Sequence, residues 1–284
     1  MKKNKLSGKF RVFFGRGILS KICFFIIIAL LVVAVFAPLL APYDPNKNNL
    51  RNIVASPSGE NLLGTDYLGR DVISRLIYGA RISLYTSLLA GVLSALIGIL
   101  LGLLAGYFGG LLSSIIMRIT DALLAIPALI FTLVLASVLG GGLVSIVISI
   151  GISLMPTYIR MVNGQVLSLK ESDYITAGKL IGLKDFTILI RHLFPNCFPS
   201  LIVLFTMNLG EGIMMESTMS YLGVGIAPPT ATWGSMVSDG YSYLTTAPLL
   251  SILPGICIIL VVVAFNIVGD GLRDALDPRL RGKL

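Results

Sequence analysis

One histidine, three cysteines and three Gly-Lys pairs are the residues of this 284-residue chain around which catalysis or metal chemistry could be built. None has the neighbours that such chemistry needs. A phosphate-cradling loop follows its Gly-Lys pair with Ser or Thr, whose hydroxyl holds the magnesium ion. The pairs at 8–9, 178–179 and 282–283 lack that residue. His192 stands alone beside Arg191, there is no His-Glu-x-x-His run, and a single histidine does not make a usual zinc site. Cys23, Cys197 and Cys257 lie in or beside apolar runs without metal-ligand spacing, so they read as structural thiols. No catalytic residue, metal or cofactor is expected. Any work the chain does must draw its energy from a separate component.

The charged residues with informative spacing lie at 170–196. Lys170, Lys179, Lys184 and Arg191 stand there against Glu171, Asp173 and Asp185. Tyr174, Ala177, Gly178 and Ile181 fall at i, i+3, i+4 and i+7, which predicts one face of a short amphipathic helix. Ser172 or Asp173 can cap its start, and Gly182 sits where a left-handed residue would end it. An ordinary polar loop between two apolar segments is the alternative.

Composition says what must hold that helix in place. The chain is 55% hydrophobic and 13% charged, against roughly 25% charged in soluble domains. Its mean hydropathy is +0.90. Charge-free runs cover 22–43, 82–117, 122–159, 193–210, 217–238 and 240–269, and a membrane helix needs about 20 apolar residues. An all-α integral membrane protein follows. A β-barrel would alternate apolar and polar positions, and these runs do not. The run at 82–117 would reach about 54 Å as one helix, against a hydrocarbon core of about 30 Å, so it must contain a break. With breaks at 106–110 and 140–142, six spans are expected near 22–40, 82–106, 112–138, 143–163, 197–222 and 248–269, with a kink at Pro127.

The net charge of +8 does not point to nucleic acid, because seven of the 22 basic residues lie before position 22 with no acid among them. That is a tail facing anionic lipid. Six spans put both tails, Arg118 and the 160–192 loop on one side, with 17 of the 22 Lys and Arg residues against five opposite. The richer side is expected to be cytoplasmic. The expected organisation is a tail at 1–21, a first span and external segment at 22–81, a five-span core at 82–269 with a cytoplasmic loop at 164–195, and a tail at 270–284.

Inside the spans, Gly98, Gly102 and Gly106 repeat every four residues and leave a flat stripe for close helix contact. Arg118 and Asp121, three apart, are placed to pair. Glu211 and Glu216 lie about 140° apart on one helix, so they do not form one site. Glu216 is expected at a helix contact or an external gate. Val72, Ile73, Leu76, Ile77 and Ala80 are at helical spacing and predict an interfacial helix leading into the second span, with a plain surface helix as the alternative.

Several motifs resemble one family. Leu63-Gly64-Thr65-Asp66, Gly69-Arg70-Asp71-Val72, Ser74-Arg75-Leu76-Ile77-Tyr78-Gly79-Ala80-Arg81 and Ser83-Leu84 follow a pattern specific to the dipeptide/oligopeptide/nickel group of ABC importer permeases. So do residues 216–225 with Pro228-Pro229, and 265–279. Thr176-Ala177-Gly178, Gly182 and the later Leu193-Phe194-Pro195 resemble the loop by which such permeases dock their ATPase, with Thr176 where the family most often has Glu. The chain is thus similar to a C-type permease subunit over roughly 35–284. The resemblance implies a type I ABC importer permease fold in the cytoplasmic (inner) membrane of a prokaryote. It implies a second homologous permease subunit, two cytoplasmic ATPase subunits and an extracytoplasmic solute-binding protein as partners. It also implies Tyr174, Thr176, Ala177, Gly178, Ile181 and Gly182 as the ATPase-coupling residues, and peptide as cargo. Nickel import by the same fold, or a secondary transporter needing no ATPase, are the alternatives.

Overall fold

The computed structural model describes residues 18–276, and the basic tails expected before and after them lie largely outside the described residues. The first helix, α1 (Ile18–Val35), is apolar beyond Lys21 and is followed by the single turn Ala37–Leu40 with Pro38 in its first turn. It starts and stops four to five residues earlier than the 22–40 run suggests. The polar segment that follows folds into turns and leads to α2 (Val72–Phe108), a continuous helix of 37 residues. Asp71 caps α2 by accepting the Ser74 amide at 2.8 Å. Gly109, at φ +67°, closes it. The predicted interfacial helix is therefore the first turns of α2 itself. Val72 and Arg75 are buried there against the rest of the protein.

Next come α3 (Gly110–Leu124) and α4 (Ala128–Val138), bent by 94° at the break before Pro127 and its successor. Proline there removes a helix donor and pushes its predecessor out of the helical region. The expected kink is in fact a right-angled corner. After Gly140 and Gly141, both with positive φ, α5 (Gly142–Lys170) runs seven residues past the end of the expected 143–163 span. The short α6 (Asp173–Leu180) follows, then the turn Asp185–Thr187 and a π-helical turn Ile188–Leu193 that leads into α7 (Phe194–Tyr221). The polar stretch at 223–247 holds α8 (Trp233–Tyr241), and α9 (Leu249–Leu276) ends the described chain.

Among the described residues five helical stretches are long and apolar enough to cross a membrane, and a sixth if the bent α3–α4 pair is one span. The most extensive contact is α2 on α5, followed by α7 on α9. Its basis is the glycine stripe. A Cβ added at Gly98, Gly102 or Gly106 would lie 2.5, 2.7 and 2.7 Å from the Cβ atoms of Tyr158, Val162 and Val166. Those residues also repeat every four, so one ridge of α5 sits directly on the α2 backbone.

Candidate functional site

At one end of the bundle α6 is held by its own sequence. Asp173 in its first turn and Lys179 in its last complement the helix dipole. Its end is a complete Schellman motif. The Gly182 amide donates to the Lys179 carbonyl and the Leu183 amide to the Gly178 carbonyl, both at 3.0 Å, with Gly182 at φ +81°. Leu183 packs at Gly178, where an added Cβ would lie 3.1 Å from Leu183 Cδ1.

The helix divides into two faces. Ile175 and Gly178 turn inward, onto a cluster that includes Tyr158, Val162 and Val166 of α5 and Ile188, Leu189 and Leu193 of the π-helical turn. Tyr174, Thr176, Ala177 and Ile181 face outward. The outward edge is strongly apolar. Ile181 is 78% exposed, Leu180 83% and Phe186 72%. Sequence spacing grouped Gly178 with the outward residues and passed over Leu180 and Phe186. Both are large apolar residues in a charged stretch, and that mismatch is the signal that could have marked them.

Two other elements brace this end. Lys170 Nζ donates to the Gly106 carbonyl at 3.2 Å, and the Tyr107 hydroxyl donates to Asp185 at 2.5 Å. Lys179 Nζ lies 5.2 Å above the Tyr107 ring. The last turn of α2 is thereby joined to both sides of the α6 loop. Arg118 is exposed and makes no pair with Asp121; the Asp121 carboxylate pairs with Arg160 of α5 at 2.5 Å. Both partners are more than half exposed, so the pair adds little stability.

The opposite end carries a second cluster. Asp66 accepts Arg70 Nε at 2.6 Å and the amides of Leu68 and Arg70 at 2.9 Å, and lies 3.3 Å from Arg75 Nε. Arg70 and Arg75 reach Asp239 of α8 at 3.7 and 4.0 Å. Arg75 also donates to the carbonyls of Pro45 and Pro229 at 3.2 and 3.4 Å. Burial raises the Asp239 carboxyl above its ordinary range, against the opposing pull of Arg75 and then Arg70. The Trp233 indole donates to the Leu76 carbonyl at 3.1 Å and lies against Gly79. The 63–75 motif is therefore a knot that caps α2 and clasps α8.

Beneath this knot Glu216 is fully buried. Its Oε1 accepts the Ser220 hydroxyl at 2.7 Å. Ser83 of α2, Ser217 of α7 and Thr232 at the start of α8 face the same carboxyl. Three elements meet at one acid. Glu211 is only partly buried and lies away from this group. Among the described residues no cluster of His, Cys, Asp and Glu could hold a metal ion.

These ends belong to a known arrangement. Residues 98–282 match the family described as the binding-protein-dependent transport system inner membrane component, and residues 18–58 match the N-terminal TM domain of oligopeptide transport permease C. The chain belongs to this transporter family. It is a multi-pass permease subunit of an ABC importer, of the C type in the dipeptide/oligopeptide/nickel group. It is 41% identical over 257 residues to the glutathione transport system permease protein GsiD of Escherichia coli O1:K1 / APEC, and 42% identical to GsiD of Shigella flexneri serotype 5b (strain 8401). Each alignment covers 90% of this chain and 85% of the relative. In fold the permease is similar to a chain in the native crystal form of the inward-facing MetNI methionine ABC transporter. The TM-score is 0.57 at 18% identity, covering 72% of this chain and 97% of that one. The SeMet soak form gives 0.54 at 19%, covering 70% and 96%.

Proposed function

We propose that this permease moves small peptides inward across the cytoplasmic membrane of a prokaryote, driven by ATP hydrolysed on separate subunits. The peptide reading draws on the GsiD relatives, named for the transport of glutathione, a tripeptide. The working assembly is this chain, a second related permease, two ATPase subunits and an external binding protein that delivers the solute. Both termini and α6 face the cytoplasm, and the segment at 42–71 faces outward. The bias of Lys and Arg toward the α6 side supports that orientation.

The observation that carries the coupling role is the exposed apolar edge of α6. Leu180 and Ile181 project from the last turn of a helix whose stop is fixed by the Schellman turn and whose inner face is packed, and exposed Phe186 follows in the Asp185–Thr187 turn. At the helix start the expected side-chain cap is not made, the Ser172 hydroxyl donating to the Leu169 carbonyl instead. Contact of that kind transmits displacement as a unit, and it favours a hydrophobic cleft on a partner. Leu180→Asp combined with Phe186→Asp tests it. Each places a charge where apolar area would be buried, so the ATPase should no longer co-purify while the chain still reaches the membrane. Uptake of glutathione and of a dipeptide by the assembled complex in vesicles tests the cargo. Transport of neither, with ATP hydrolysis intact, would sink the peptide reading.

A further inference from the structure

Arg81 has no role in any contact described above. Among the described residues it makes no ion pair and no hydrogen bond, and it is exposed. It is also the last charge before the run at 82–117, which has none. Nine residues past the start of α2, it lies about 13 Å along that helix. It therefore stands at the boundary where α2 passes from the polar knot into hydrocarbon.

Below it lies a groove of about 310 Å³ between α1 and α2. Its floor is Ala34, Leu84, Ile213 and Phe265, all buried, and its rim includes Leu31, Val35, Tyr85 and Leu88, all exposed. Arg81, Leu84, Tyr85 and Leu88 fall at i, i+3, i+4 and i+7, so one face of α2 presents a cation, a phenol and then apolar side chains in descending order. Leu31, Ala34 and Val35 form the facing wall at the same helical spacing. That gradient matches the profile of one molecule class: an anionic phosphate, a polar linkage and a hydrocarbon chain. An uncompensated guanidinium at this depth is costly, and a phosphate contact removes the cost through paired charge-assisted hydrogen bonds. Tyrosine one turn deeper is at the level where aromatic side chains favour the interface.

We propose that this groove is a phospholipid site, with the lipid phosphate on Arg81 and one acyl chain between α1 and α2. A water-soluble solute does not suit it, because past Arg81 its lining is almost wholly apolar. The bound lipid fills the space between α1 and the rest of the bundle.

The test uses the full transporter complex in vesicles that contain phosphatidylglycerol with a photoactivatable diazirine in its acyl chain. Peptide mass spectrometry after illumination should place adducts at 31–35 and 84–88. Arg81→Gln should reduce them about tenfold, the loss of one charge-assisted phosphate contact, and Arg81→Lys should retain most of them. Ala34→Phe fills the groove with Arg81 intact and should also abolish labelling. Unchanged labelling in Arg81→Gln or in Ala34→Phe overturns the proposal. So does full competition by inorganic phosphate. Efficient cross-linking of a Tyr85→Cys chain to the companion permease in membranes would show that a protein covers the groove instead. If Arg81→Gln fails to insert, Ala34→Phe and Arg81→Lys still decide.

Discussion

Gly182 has φ +81° and open space around the position of an added Cβ. Substitution there meets no neighbour, so its effect is on the backbone alone. A β-branched residue in the left-handed region is strained by about 1–2 kcal/mol. Gly182→Val should open the Schellman turn and swing Leu180 and Ile181 from their positions, while the membrane helices stay packed. The expected result is a chain inserted at normal levels, without solute uptake, whose complex no longer raises ATP hydrolysis in response to loaded binding protein. Normal uptake in reconstituted vesicles would remove the coupling role from α6. Glu216 is the contrasting case, because its effect is on packing chemistry. Glu216→Leu strands the Ser220 hydroxyl, at about 1–3 kcal/mol for a buried group left unpaired, and removes the one carboxyl that Ser83, Ser217 and Thr232 face. Glu216→Gln keeps an acceptor and adds a donor. Thermal unfolding of the solubilised complex should therefore show a large drop for Leu and a small one for Gln. Equal drops would refute the hydrogen-bonding account.

At the scale of elements, the α2–α5 contact is decided by backbone proximity. A Cβ at Gly102 would meet the Ile159 carbonyl oxygen at 2.9 Å as well as Val162, and neither is the flexible end of a long side chain. Gly102→Leu should separate the helices and cost more than the ~1–3 kcal/mol usual for overpacking. The amount of folded chain recovered from membranes should fall sharply, and measurably for Gly102→Ala as well, whose Cβ already meets both atoms. Equal recovery of Gly102→Leu and the parent chain would show that the close contact is dispensable. This stripe was legible in the sequence because a period of four on a helix is a local property. The end of α6 was legible for the same reason, since a Schellman turn needs one glycine and its neighbours. What sequence did not reveal are pairings across long separations. Asp121 has Arg118 within its own turn yet pairs with Arg160, because the tilt of α3 against α5 sets the geometry and spacing along one helix does not. The helical spacing of Val72 to Ala80 gave no hint of the Arg75 ion pair, because its partner Asp239 lies on α8, far along the chain. The face of α6 was misphased by Gly178, which reads as apolar in a periodic pattern but packs inward because it lacks a side chain.

For the whole molecule, orientation is the testable property. The proposed orientation has Asn48 outside and Lys184 inside, and the Lys and Arg bias supports it. In a background without Cys23, Cys197 and Cys257, an impermeant thiol reagent on intact cells should label Asn48→Cys and leave Lys184→Cys untouched until the membrane is opened. The reverse pattern would invert the molecule and every role assigned to its two ends. The length of α2 then gains a mechanical meaning. At 37 residues it spans about 55 Å, well beyond a ~30 Å hydrocarbon core. One end is knotted to α8 through Asp66, Arg70 and Arg75, and the other is braced to α6 through Gly106 and Tyr107. Close to the braced end the glycine stripe seats it on α5 as on a fulcrum. A rod held this way behaves as a lever with unequal arms: Gly102 lies about 45 Å from the knotted tip and about 9 Å from the braced one, so a tilt of about 10° carries them roughly 8 Å and roughly 2 Å in opposite directions. In the proposed assembly, arrival of solute at the knotted end and closure of the nucleotide machinery at the braced end act on one rigid body, so displacement of either displaces the other.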